Sequence, residues 1–365
     1  MIQIDRRLLW NFDWTLLALT LGILAVGWGT LAGLSPHGVW GGLPLRQLAW
    51  IALGLIALVV VVSVDYRVWV SRAIPLYGLG IVLLGLVLVW GRSAQGARRW
   101  LALGGVGFQP TEIFKVIFIL ALAAILAGRR QATWSWGALA LPLGLVLLPV
   151  ALIIKQPDLG TAIIFLPVGA AMLFAAGTRG RDLGLLALGG LVASPLLWIF
   201  LKDYQRERLL VYLDPGRDPL GAAYNVAQSK IAIGSGMLWG KGLFGGTQSR
   251  LAFLPERHTD FIFSVFAEEW GFIGSLLLLV GYFFIVMRGF EIAEKARDSL
   301  GHLVGVGATT LLAAQACVNL GMAMGLLPIV GLPLPLMSYG GSAMLSSLMV
   351  IGLLLNVRMR WFMFP

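Results

Sequence analysis

Residues 251–271, LAFLPERHTDFIFSVFAEEWG, gather Glu256, Arg257, His258, Asp260, Glu268 and Glu269 at the edge of an apolar run that opens at Phe261. A charged side chain costs roughly 2.5–3.5 kcal/mol at the centre of a bilayer on insertion scales, so ionisable groups in such a place face a cavity, a partner or a substrate path. A helix beginning near Thr259 would set Asp260, Ser264, Ala267, Glu268 and Gly271 on one polar or small stripe, with Phe261, Ile262, Val265, Phe266 and Phe272 on the apolar side. Asp260 would then stand in the first turn, where open N–H groups favour a carboxylate. Burial would push its pKa up and make it a better general base. The plainer alternative is that Asp260 caps a helix while Glu268 and Glu269 pair with arginines elsewhere. His258 and Asp260 lack the spaced Cys or His partners of a metal centre, and the chain has only three histidines, so no metal site is expected.

Three further stretches stand out. GRSAQGARRWLALGGVGFQPTEIFK, residues 91–115, sets Arg92, Arg98 and Arg99 beside Trp100, a cationic and aromatic edge suited to phosphate or to a membrane boundary. Pro110 then opens a helix on which Glu112 and Lys115, three apart, form either an ion pair or part of a cavity lining. KQPDLGT places Lys155 and Asp158 in a tight turn, with Asp158 in position to cap the next helix. LLPIVGLPLPLMSYGGSAM, residues 326–344, is rich in Pro and Gly and nearly uncharged; non-helical backbone at membrane depth survives only inside protein or along a cavity, which suggests a groove wall or lipid-tail path.

The elements that position these groups are membrane helices. The chain has 365 residues, 59% hydrophobic and 12% charged, with mean hydropathy +0.88. Its apolar runs are unbroken over helix length, which excludes an outer-membrane barrel. Ten spans are predicted: 14–34, 45–63, 73–90, 111–127, 137–154, 159–176, 183–201, 262–287, 301–325 and 342–357. No cleavage site follows the first run, so it is expected to remain as an anchor. Cys317, the single cysteine, falls inside a span and is expected to pack as a small apolar residue.

Every predicted inner connection is basic, from Arg6 and Arg7 through Arg67, Arg72, Arg129, Arg130, Arg179, Arg181, Arg288 and Arg358, which places both termini in the cytoplasm. The net charge of +10 is explained by this orientation and by anionic lipid, without nucleic acid. The chain reads as one membrane domain, 1–365, whose one long connection, 202–261, lies outside. Within it AYNVAQSKIAIGSGMLWGKG is modestly amphipathic and is expected to form an interfacial or re-entrant helix. Arg46, which opens the second span, Arg98, Arg99, Glu112, Lys115, Lys155, Asp158, Glu256, His258 and Asp260 all map to the outer face. Together they describe a cationic cavity with a few carboxylates, suited to an anionic, lipid-linked substrate.

AQSKIAIGSGMLWGKGLFGGTQSRLAFLPERHTDFIFSVFAEEWG, with KQPDLGT, QPTEIFK and PLPLMSYGGSAM, resembles the SEDS family of bacterial cell-envelope proteins over all ten predicted spans, and its elongation branch more than its division or sporulation branches. The resemblance implies a multi-pass protein of the bacterial cytoplasmic membrane that polymerises lipid II at the outer face into β-1,4-linked glycan strands and releases undecaprenyl pyrophosphate. It implies a class B penicillin-binding protein as partner. It makes Asp260 of HTDF the essential carboxylate, and it places Asp158 and Glu112 on family positions important for activity. Arg46, Arg98, Arg99 and Lys115 become candidates for stabilising the pyrophosphate, with Lys155, Glu256 and His258 completing the expected substrate-binding set. No cofactor is implied, and the sequence leaves a divalent Mg or Mn ion open. Two other functions fit an all-α polytopic membrane protein: a lipid II flippase, and a non-catalytic scaffold whose small residues Gly321, Ala323 and Gly325 receive a partner helix.

Overall fold

The computed structural model describes residues 10–361 apart from 36–37, 95–96, 104–105, 129–135, 215, 217–220 and 248–253. Arg6, Arg7, Arg129 and Arg130 of the charge argument lie outside the described residues. An apolar run in lipid must pair its backbone internally, and the chain does so as helices. These are α1 (Trp14–Leu34), α2 (Gly42–Ser63), α3 (Tyr66–Ser71), α4 (Ala73–Trp90), α5 (Pro110–Ala127), α6 (Trp136–Lys155), α7 (Leu159–Ala175), α8 (Gly180–Phe200), α9 (Asp203–Leu213), α10 (Ala222–Ser235), α11 (Ile262–Lys295), α12 (Ser299–Ala323) and α13 (Gly341–Met359). Among the described residues eight helices are long and apolar enough to cross a membrane: α1, α2, α4, α5, α6, α11, α12 and α13. A shorter apolar helix, α7, and the 21-residue α8 occupy the sixth and seventh predicted spans.

The centre of the bundle is α5, α12 and α13, whose apolar windows are 72, 72 and 78% buried. Around them α2 packs on α13, α11 and α7 on α12, and α4 on α5. Local signals set several boundaries. Asp13 caps α1 by accepting from the Leu16 amide at 2.9 Å, and Pro110 occupies the first turn of α5. Between α4 and α5 the chain forms a small antiparallel sheet, β1 (Arg92–Ala94), β2 (Ala97–Leu103) and β3 (Val106–Phe108), in that order. At the opposite end of the bundle, Asn356 donates to the carbonyls of Val61 and Val64, and Tyr66 donates to Asp298 at 2.6 Å, tying α13, α2, α3 and α12 together.

The expected helix in the long connection is α10, preceded by a second one, α9. After α10 the chain does something the amphipathic pattern did not indicate. Residues 236–242 form a strap against α11, which is broken at Gly271 (φ 66°, ψ −163°). The Lys241 and Gly242 amides donate to the carbonyls of Glu268 and Glu269, both at 3.0 Å. In return, the Phe272 and Ile273 amides donate to Met237 and Leu238 at 2.8 and 3.2 Å. The strap thus supplies the backbone partners that the break in α11 removes, which an apolar surrounding requires.

Several sequence expectations change here. Helix α11 starts at Ile262, so Asp260 lies in the turn before it and not in its first turn. The stripe argument also fails, because Ile262–Glu269 are buried on every side: α1, α10 and α12 pack on α11 and leave this half-helix no solvent face. Cys317 is exposed on α12, on the outer surface of the bundle instead of in the core. Gly321 and Ala323 are buried within the chain, and a Cβ on Gly325 would meet the Lys230 side chain, so these small residues serve internal packing.

The strap makes a paired prediction. A Cβ on Gly240 (φ +79°) would stand 2.1 Å from the Glu269 carbonyl oxygen, whereas Gly242 (φ +81°) has open space around it. Both Gly→Ala changes incur left-handed strain of about 1–2 kcal/mol. Gly240→Ala adds the clash, and thermal unfolding in detergent should show it as clearly the less stable of the two.

Candidate active site

The turn 254–261 is held from three directions. The amides of Thr259, Asp260 and Phe261 converge on the Glu256 carbonyl at 3.1, 3.0 and 3.3 Å. The 326–340 chain grips the same turn: Ser338 Oγ donates to the Thr259 carbonyl at 2.5 Å, and the Tyr339 amide donates to that of His258 at 2.8 Å. Asn319 of α12 donates to the Asp260 carbonyl at 2.8 Å. The groove-wall expectation for 326–344 is met in part. Pro328 and Ile329 line a cavity, while Leu332, Leu334, Leu336 and Met337 are buried core.

Asp260 is half-buried in this turn, outside the membrane-spanning helix. Burial, reinforced by the neighbouring Glu256 charge, pushes its carboxyl up to about 6; Arg208, a hydrogen bond from Thr259, and Arg99 pull the other way. His258 meets Tyr339 edge-on at 5.8 Å, and burial lowers its pKa. Arg208 on α9 is the cation that the sequence reading passed over. Gly331 (φ +71°) stands next to both groups: a Cβ there would be 3.4 Å from Asp260 Oδ2 and 3.8 Å from Arg208 Nη1.

Beside this pair opens a cavity of about 190 Å³ lined by Arg208, Val211, Tyr212, Lys230, Pro328 and Ile329, among others. Two cations in an apolar wall suit an anionic head group attached to a hydrocarbon chain. Arg208 and Lys230 could have been found from periodicity once two helices were assumed. Arg208, Val211 and Tyr212 share one face of α9, and Ala223, Val226, Ala227 and Lys230 share one face of α10.

The remaining predicted residues divide into those the fold draws together and those it leaves apart. Arg99 on β2 reaches Asp158 at 3.6 Å and donates to the Pro157 carbonyl at 2.6 Å. Asp158 is nonetheless the expected cap of α7, accepting from the Thr161 amide at 3.2 Å and hydroxyl at 2.9 Å. Glu112 and Lys115 satisfy each other at 2.8 Å, fully buried, with Ser346 donating to Glu112 at 2.8 Å; they are not among the residues lining the cavity. Arg46 and Lys155 are exposed, with no side-chain partner among the described residues. The backbone of Arg98 pairs with Ser93 in the sheet, but its side chain lies outside the described part of the structure. Glu268 is completely buried and accepts from Lys241 at 2.7 Å and from the Thr247 amide at 2.7 Å, because the strap places the long connection over it. Among the described residues no group of three or more His, Cys, Asp or Glu side chains is placed to hold a metal ion.

Known proteins resemble this chain in sequence and in fold. The profile of the FtsW/RodA/SpoVE cell cycle proteins matches residues 14–361. The chain belongs to this family. It is 42% identical over 357 residues to the peptidoglycan glycosyltransferase MrdB of Escherichia coli K12, covering 97% of this chain and 96% of that one. To the probable peptidoglycan glycosyltransferase FtsW of Geobacter sp. strain M18 it is 40% identical, with 86% of each covered. Among solved structures it resembles a chain from a peptidoglycan synthase complex that coordinates polymerization and crosslinking, with TM-score 0.81, 39% identity and coverage of 96% of this chain and 98% of that one. It also resembles the rod shape determining protein RodA of Thermus thermophilus, with TM-score 0.73, 36% identity and the same coverage.

Two predictions follow from the charges. Because the folded-state pKa of Asp260 is raised from 3.8 to about 6, its favourable contribution is lost as pH rises through 6. Asp260→Asn should therefore melt higher than the wild type at pH 7.5, and the gap should close as pH falls toward 4. Lys115→Met strands a buried carboxylate and should cost about 3–5 kcal/mol; adding Glu112→Gln should recover much of it in thermal unfolding.

Proposed function

We propose that this chain polymerises lipid II as a peptidoglycan glycosyltransferase of the elongation type, in the bacterial cytoplasmic membrane and together with a class B penicillin-binding protein. The observation that carries the reading is the apposition of Asp260 and Arg208 at Gly331, with Arg208 also lining a cationic cavity with apolar walls. Asp260 is the general base. Its oxygen accepts the proton of the acceptor GlcNAc 4-hydroxyl as that hydroxyl oxygen bonds to the anomeric carbon of the donor. The bond from that carbon to the phosphate oxygen breaks, and its electron pair leaves with undecaprenyl pyrophosphate. A pKa of about 6 leaves the base mostly ionised at neutral pH yet more basic than an ordinary carboxylate.

Arg208 and Lys230 meet the charge that builds up on the leaving diphosphate. A pyrophosphate leaves without needing a proton, so the scheme requires no second carboxylic acid, unlike a glycosidase. Arg99, oriented by Asp158, supplies a further positive charge to Asp260. The end of the bundle that carries this cluster is the extracytoplasmic one. The basic residues Arg67, Arg72, Arg179 and Arg288 mark the cytoplasmic end.

The test is polymerisation of lipid II by the purified chain in complex with its penicillin-binding partner. Asp260→Asn should lower the rate by about 10²–10⁴-fold, and Arg208→Ala by on the order of 10²-fold. The wild-type rate should fall tenfold per pH unit below about pH 6. Undiminished glycan synthesis by a folded, partner-bound Asp260→Asn protein would remove Asp260 from the mechanism.

A further inference from the structure

A general base has to be held as well as tuned, and one side chain outside the reacting cluster holds this one. Asn319 lies on α12 and is completely buried. Burying an amide at that depth is costly, and hydrogen bonds made by its donors offset part of the cost. Its Nδ2 donates to two carbonyls, that of Asp260 at 2.8 Å and that of Leu332 at 2.6 Å. Those carbonyls belong to two irregular segments, the 254–261 turn and the 326–340 chain, which come together only in the folded bundle.

Leu332 follows Gly331, the residue placed against both Asp260 Oδ2 and Arg208 Nη1. One amide group therefore ties the backbone that carries the carboxylate to the backbone that sets its distance from the guanidinium. The orientation of that amide is not interchangeable. Asn319 Oδ1 is buried and makes no hydrogen bond, and turning the group over would set this oxygen against two carbonyl oxygens and leave the donors unused. A hydrophobic residue of the same size would fill the space but would release both segments.

We propose that Asn319 is a positioning residue for the glycosyl transfer: by clamping the Asp260 and Leu332 carbonyls it fixes the Asp260 carboxylate against Gly331 and Arg208. This rests on the assignment of Asp260 as the base. A small displacement of a positioned group is enough to slow a reaction by roughly 10²-fold without weakening substrate binding.

The experiment compares wild type, Asn319→Asp, Asn319→Leu and Asp260→Asn as purified complexes with the penicillin-binding partner, measuring kcat and KM for lipid II from pH 5 to 8. Asn319→Asp keeps the shape but offers at most one donor for two carbonyls; Asn319→Leu offers none. The expected order of kcat is wild type, then Asp, then Leu, with the Leu variant reduced roughly tenfold to a hundredfold and KM changed less than about twofold. In the Leu variant the acidic limb should also move below its wild-type position, because a released turn admits water and relieves the burial that raises the Asp260 pKa. Wild-type kcat and an unmoved limb in a folded Asn319→Leu protein would overturn the proposal. So would failure of both Asn319 variants to assemble with the partner, since Asn319 would then be a folding residue. Full activity of Asp260→Asn would instead overturn the assignment of the base, and the two failures are distinguishable.

Discussion

Backbone amides that leave a helix inside an apolar bundle must find other partners, and the candidate site of this protein is built from the places where that demand is met. Three irregular segments depart from helix: the 254–261 turn, the 326–340 chain and the 236–242 strap. Each is paired to another element. The turn is held by Ser338, Tyr339 and Asn319, and the strap is paired with the broken α11. Because the partners come from distant parts of the sequence, satisfying the backbone also brings distant side chains together. The position of Asp260 is a consequence of that pairing more than of any interaction its own carboxylate makes.

Electrostatics then separates structural charge from chemical charge. Glu112 with Lys115, Glu268 with Lys241, and Asp158 with Arg99 are ion pairs whose acidic members are almost wholly buried. An ion buried in this way is tolerated when its partner and hydrogen bonds are present, and each pair joins two elements or two turns. Asp260 differs. Burial and the Glu256 charge raise its pKa while Arg208 and Arg99 act from a distance, a balance that leaves a carboxylate both ionisable and basic near neutrality.

Much was legible in one dimension where a local rule decides the outcome. Apolar runs of membrane length became helices, Asp158 before an apolar run became a cap, and Pro110 opened α5. A Glu and a Lys three apart on α5 became an ion pair. Less was legible where a helix is enclosed on all sides. Residues 262–269 show a polar stripe, yet burial there follows from α1, α10 and α12 packing on α11, which cannot be inferred from periodicity within α11. Arg46 and Lys155 carried the right charge in the right predicted layer, but they face outward. Arg208 and Lys230 belonged to a connection read mainly for its aromatic residues and glycines, so their convergence on one cavity was missed.

The sequence alone determined the class of protein, the approximate helix ranges, the identity of Asp260 as the carboxylate of interest and the substrate chemistry implied by the surrounding motifs. The class and the helix ranges follow from hydropathy, residue type and short spacing, which are local properties; the weight placed on Asp260 and the substrate chemistry are what the resemblance of its motifs to the family implies. Only the tertiary structure decided which cations reach Asp260, which charges are spent on one another, that α11 breaks at Gly271 to receive a strap, and that a buried asparagine bridges two irregular segments. Each of these depends on contacts between residues far apart in the chain, and the energy of a buried polar group is set by whichever partner the fold delivers to it.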